Sequence, residues 1–239
     1  MSIAFEELDF QPTEMGDLIL RRRRLQSLDG QEVYEVKLGD AFLMSSLFTR
    51  VEVALAEFGL AELPAGPLDV VVGGLGLGYT ARAALAHPGV ESVVVIDALA
   101  PVIDWHQRGL VPLGPELTSD SRCRFVLGDF FARVASDALD PSQPGKQFDA
   151  ILLDIDHSPR DLLHPRHEAF YSEEGLRQLT KHLRPGGVFG MWSDDPPDDD
   201  FQAGLARVFA DSRAHIVTFP NPLLDEDSAS TVYVSRVAP

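Results

Sequence analysis

A chain of 239 residues, 45% of them apolar, is long enough for one large domain with a substantial core and too apolar for disorder. Its formal net charge of −17 argues against a nucleic-acid footprint, which needs a basic face, and suits a small cationic ligand better. The single cysteine, Cys123, excludes an intrachain disulfide and points to a reducing cytoplasm, and the apolar runs are strand-length, far short of a membrane span.

The opening MSIAFEELDF is acidic and lacks the basic start of a signal peptide. DLILRRRRLQSLDGQEVYEVKL then reads as two strands about Asp29-Gly30, a strong hairpin signal, and AFLMS adds a third. At a two-residue period Arg21–Arg24 face alternately, which predicts a solvated edge rather than an anion site. Apolar spacing predicts a helix in LFTRVEVALAEFGLAEL, and the PAGP of Pro64–Pro67 punctuates the chain. The expected division is a small N-terminal β-domain with its linking helix, residues 1–62, followed by a larger unit, residues 63–239.

In that larger unit short Val/Ile/Leu runs alternate with helical segments. DVVVGG precedes YTARAALAH, SVVVID precedes PVIDWHQRGL, RFVLGD precedes FFARVA, and FDAILLDID precedes SEEGLRQLTKHL. Such alternation predicts an α/β fold with a doubly wound, Rossmann-like sheet of seven strands. GVFGMW and the helix FQAGLARVFA follow, and then AHIVTF and TVYVSR, which have no helix between them and are expected to pair antiparallel at one edge.

DVVVGGLGLGYTARAALAH carries glycine at every second position, Gly74, Gly76 and Gly78, between a buried strand and a helix. Packing alone would not select the residue type that loses most entropy on folding, whereas close approach of a ligand to backbone would. Three acids end the next three strands: Asp97, placed for ribose hydroxyls; Asp129, placed for an adenine amino group with Phe130 beside the ring; and Asp154, beside the reactive end of such a ligand. Together they predict an adenosine-type cofactor. The G-x-G-x-G spacing brings the third glycine one residue too early for a dinucleotide fingerprint, and no P-loop sequence is present.

These residues resemble the class I S-adenosylmethionine-dependent transferases, and most closely the spermidine synthase (polyamine aminopropyltransferase) family. The likeness runs through LDG, VVGGLGLG, VVIDALAPVIDW, FVLGDFF, FDAILLDIDHSP and AFYSEEGLRQLTKHLRPGGVF. It implies S-adenosylmethionine or its decarboxylated form as co-substrate. Gly74, Gly76 and Gly78 would wrap its methionine side, Asp97 the ribose, and Asp129 with Phe130 the adenine. Asp154 would be the catalytic aspartate that orients an attacking amine and helps remove its proton. The resemblance also implies a homodimer. Three substrate-side features depart from the family. The acid of its G-G-G-D-G-G loop falls on Gly76, its D-x-x-D pair becomes Asp154 and His157 with Asp156 between, and its Tyr-His-Glu triplet falls on Met44, Ser45 and Ser46. Aminopropyl transfer to an amine leads, with methyl transfer to a small molecule and non-catalytic nucleoside binding as alternatives.

Asp156 and His157, with Trp192 and Asp194 of MWSDDPPDDD, are the candidate substrate-binding residues, the last two as an aromatic and acidic wall that Asp195 extends. A helix N-cap at Asp198 or Asp199 is the plainer reading of that acidic loop. His157, His164 and His167 match no compact metal-ligand spacing, so no metal is expected, and their segment reads as a mobile gate over the pocket. Trp105 and His106 read as packing and surface, and Cys123 as structural.

Overall fold

Two sheets organise the residues, 4–239, that the computed structural model describes. The first is antiparallel, in the order β1 (Phe5–Thr13), β2 (Gly16–Leu25), β3 (Gln31–Leu38) and β4 (Ala41–Ser45). Leu18 pairs with Leu38 and Leu20 with Val36, so one face of this sheet is a buried aliphatic layer. The Asp29-Gly30 hairpin forms with a longer loop than a two-residue turn. A 3₁₀ turn at Gln26–Leu28 precedes Asp29 at φ 53° and Gly30 at φ 76°.

β1 is a strand the sequence reading did not anticipate, because its alternation is disguised by acids, and it moves the arginines off the edge. β2 lies inside the sheet, and Arg21 and Arg23 pair with Glu35 of β3 (2.5 and 3.2 Å), Arg22 with Glu6 of β1 (2.5 Å), and Arg24 with Glu32 (3.3 Å). A strand with partners on both sides can carry four cations only because its neighbours supply carboxylates.

The linking helix α1 (Arg50–Ala61) leads to β5 (Leu68–Gly73), α2 (Tyr79–Ala86), β6 (Val90–Asp97), α3 (Ala100–Gln107), α4 (Gly114–Ser119), β7 (Cys123–Leu127) and α5 (Phe130–Val134). The chain continues through β8 (Phe148–Leu153), α6 (Glu173–Thr180), β9 (Leu183–Ser193), α7 (Asp199–Val208), β10 (Asp211–Asn221) and β11 (Glu226–Arg236). Seven strands stand in the order β10-β11-β9-β8-β5-β6-β7. β5 to β9 pair parallel, and β11 runs antiparallel to both neighbours, as the missing helix between the last two strands predicts.

After β7 the chain crosses to the far side of β5, so the strand order reverses between β5 and β8, the position at which open α/β sheets bind ligands. Leu18, Leu20 and Val36 of the small sheet share one core with Leu55 of α1 and with Val70, Val72 and Leu152 of the large one. The Trp105 indole Nε1 on α3 donates to Asp9 of β1 at 2.6 Å, a second tie between the sheets. Trp105 and His106 are both fully buried, which removes His106 from the surface where the sequence reading put it. A separate aromatic core on the opposite face holds Phe130, Phe148, Phe170, Phe189 and Tyr233.

Candidate active site

The turn after β5 has a left-handed backbone at Gly74 (φ 94°), Gly76 (φ 46°) and Gly78 (φ 93°). A Cβ at Gly74 would fall on the Asp154 carbonyl oxygen, so this position admits no side chain. A Cβ at Gly76 would fall on the Met44 sulfur, which reaches over from β4 and accepts the Leu77 N–H at 3.0 Å. Below the turn, Asp97 accepts from the N–H of Leu75 (2.9 Å), Leu99 (2.8 Å) and Gly76. Burial raises its pKa and those three donors oppose the rise. The His106 ring Nε2 lies 2.9 Å from the Gly76 carbonyl. Gly78 begins α2 and packs on Leu117 and His106, outside the cavity described next.

Gly74, Gly76, Asp97, Asp129, Phe130 and Asp154 all border one cavity of about 390 Å³ at the switch point, and His157, Trp192 and Asp194 border it too. Asp129 caps α5 through the N–H of Phe131 (2.9 Å) and Ala132 (3.2 Å), while its second oxygen meets the Arg166 guanidinium at 3.3 Å. The Phe130 ring lies under Gly73, where a Cβ would strike it. His157 packs edge-on to Trp192 at 6.4 Å, and Asp194 accepts from the Ser230 hydroxyl at 3.1 Å. Asp195 is exposed, and Asp198 caps α7 through the Phe201 N–H at 2.7 Å. Among the described residues no group of three or more His, Cys, Asp or Glu is arranged to hold a metal, and no helix is long and apolar enough to cross a membrane.

Asp154 follows β8, its N–H donating to the Gly73 carbonyl at 2.8 Å and its carboxylate accepting from the Thr80 hydroxyl at 2.6 Å. Burial pushes its pKa up to about 6 against the pull of Thr80. Facing it is a residue the sequence reading missed. Glu52, in the first turn of α1, is 9% exposed and borders the same cavity. Burial, with the Asp154 charge second, pushes its pKa up to about 8, and only its own backbone N–H opposes this. A signal was present: Glu52 shares a helix face with Leu55, Ala56 and Gly59, all buried.

Asp156 is placed differently from the sequence expectation. It is 3% exposed and does not border the cavity. Its oxygens accept from Leu163 N–H (2.8 Å), His167 Nδ1 (2.8 Å) and the Tyr171 hydroxyl (2.8 Å). That carboxylate pins the following segment instead of facing a substrate. The segment does border the cavity through Leu163, Arg166 and His167, and Asp156 ties it there. Its end is a 3₁₀ helix at Pro165–Tyr171, and the His167 ring stacks on Phe131 at 4.0 Å.

Comparison with known proteins places this geometry. The polyamine aminopropyltransferase 2 of Pseudomonas aeruginosa is 27% identical over 165 residues, 65% of this chain and 43% of that protein. The polyamine aminopropyltransferase of Shouchella clausii is 28% identical over 193 residues, 80% of this chain and 59% of that one. The chain thus spans about half the length of the curated relatives it matches. Among solved structures, spermidine synthase from Thermotoga maritima superposes with a TM-score of 0.72 at 17% identity, covering 96% of this chain and 72% of that one. A spermidine synthase in complex with the transition-state analogue AdoDATO gives 0.73 at 18% identity, covering 96% and 73%. Both share the fold, and the Spermine/spermidine synthase domain matches residues 50–198, well over half the chain. The chain belongs to the spermine/spermidine synthase family.

Proposed function

We propose that the chain transfers an aminopropyl group from decarboxylated S-adenosylmethionine to an amine acceptor. The observation that carries this reading is the pair of carboxylates, half-buried Asp154 and buried Glu52, that border the cavity beside the glycine turn. Cationic reactants suit such a wall, and a sulfonium needs no metal to leave as a neutral thioether. In this reading Gly74 and Gly76 let the backbone approach the sulfonium arm. Asp97 keeps free lone pairs for ribose hydroxyls while its N–H contacts fix it, and Asp129 with Phe130 takes the adenine. Asp154, its proton affinity raised by burial, orients the acceptor nitrogen and accepts its proton. Trp192, His157 and Asp194 line the acceptor's side.

One observation favours methyl transfer as a second reading. Met44 fills the space at Gly76, so no acid stands at the turn to repel the carboxylate of intact S-adenosylmethionine. Competition between S-adenosylmethionine and its decarboxylated form, followed by product analysis, separates the two. Preference for the decarboxylated form, with turnover lost in Asp154→Asn and binding kept, is expected. Preference for the carboxylated form overturns aminopropyl transfer. The proposal also includes a cytoplasmic homodimer, and a division into a small β-domain with its helix, residues 1–62, and a catalytic unit from 63. Exposed Phe5 and Phe10 on the small sheet support self-association, which sedimentation would measure.

A further inference from the structure

Glu52 adds negative charge to the cavity wall but has been given no contact of its own above. Among the described residues no side chain donates to it and no Lys or Arg pairs with it, although it is 9% exposed and faces a cavity. Ionising a nearly buried carboxylate that has no cation beside it is costly, and the Asp154 charge on the same cavity adds to that cost. Packing does not explain it, since an apolar residue would serve the helix face better. The missing cation therefore points to a ligand.

Its position says which ligand. α1 packs on α2 and on β8, β9, β10 and β11. Asp97 and Asp129 end β6 and β7, on the other side of the switch point. Glu52 thus enters the cavity from the half opposite the two acids assigned to the nucleoside, the half bordered by Phe48, Trp192, Asp194 and Phe219. Phe48 and Phe219 lie 6.0 Å apart there and give this half an apolar wall suited to methylene groups. Tyr79 on α2 also feels the Glu52 charge, its hydroxyl being pushed up chiefly by burial and in smaller part by that charge.

We propose that Glu52 and Asp154 together grip the acceptor as a primary alkylammonium, with Glu52 as its second carboxylate. The inference rests on the transfer reading above for its chemistry. The ammonium lies between the two carboxylates, and Asp154 takes one of its protons. The freed nitrogen lone pair forms the bond to the aminopropyl carbon. The carbon–sulfur bond breaks with its electron pair going to sulfur, so the sulfonium leaves as a neutral thioether. The product is a secondary ammonium, and the proton on Asp154 passes to solvent. Glu52 forms no bond in this step; it fixes the nitrogen in line and balances its charge.

The test is binding of 1,4-diaminobutane, by calorimetry, to the full chain saturated with methylthioadenosine, alongside turnover with decarboxylated S-adenosylmethionine. Glu52→Gln, matched in size, is expected to weaken diamine binding and raise the acceptor KM by roughly 10–100-fold, the worth of one charge-assisted hydrogen bond. Methylthioadenosine affinity should stay within about twofold, and Glu52→Asp should recover part of the loss. Diamine binding unchanged in Glu52→Gln overturns the inference. So does an equal loss of methylthioadenosine binding, or a parent protein that binds no diamine. A parent that binds the diamine through Glu52 but transfers nothing upholds the inference and refutes the transfer reading instead.

Discussion

Removing the Glu52 charge should make the protein more stable, by an amount that grows as pH rises from about 4.5 to about 8. In an unfolded chain this carboxyl ionises at its ordinary value of 4.5, whereas the folded protein holds the proton until about 8. The folded state thus binds more protons between those values, and stability falls as pH rises through that window. At 1.36 kcal/mol per pKa unit the full penalty is roughly 5 kcal/mol, an upper limit because water entering the cavity relieves part of it. Glu52→Gln cannot ionise and escapes the penalty. At pH 9 it should gain about 1–3 kcal/mol, a rise in Tm of roughly 2–10 °C for a chain of this size. At about pH 3.5 the carboxyl is neutral in both the folded and the unfolded chain, so the two proteins should melt alike. Thermal unfolding followed by circular dichroism at the two pH values measures the difference. Equal gains at both, or a loss at pH 9, would refute the account of Glu52 as a buried, uncompensated charge.

Gly76→Asp should destabilise by about 2–3 kcal/mol, from a strained left-handed backbone and a clash with the Met44 sulfur, while Gly76→Asp with Met44→Ala should recover part of it. A double-mutant cycle in urea reads the interaction, and additivity within about 0.3 kcal/mol would show the two positions to be independent. Asp156→Asn should lower stability by about 2–4 kcal/mol and expose the 157–171 segment to protease, because one amide must oppose donors from His167 or Tyr171. An unchanged Tm and digestion pattern would show that the tether is dispensable.

The large sheet was legible because strands buried on both faces read as unbroken Val/Ile/Leu runs, and the one missing helix announced the antiparallel pair. Strand β1 was not, because Glu6, Glu7 and Asp9 mask its alternation and its reason for acids, the arginines of β2, lies in a partner strand. At the site, strand ends located Asp97, Asp129 and Asp154 in the cavity, since their position follows from topology alone. Asp156, two residues on, could not be told from Asp154 by pattern. Whether a carboxylate turns to a cavity or to its own loop depends on donors such as Tyr171 that return fifteen residues later. Glu52 was hidden by the opposite cause, an acid in a helix read only for its apolar spacing.

The contacts of Met44 and Asp9 carry a consequence for how the molecule is assembled. Met44 meets Leu77 across 33 residues of sequence, and Asp9 meets Trp105 across 96. The glycine turn therefore takes one of its walls from a strand that is complete long before the large sheet closes around it. Such distant pairings cost chain entropy before they return any contact energy, which places them late in folding. The pocket is then a product of the final docking of two sheets, and a nascent Rossmann-like half, however native its strands, would have a turn with the right curvature and no sulfur above it.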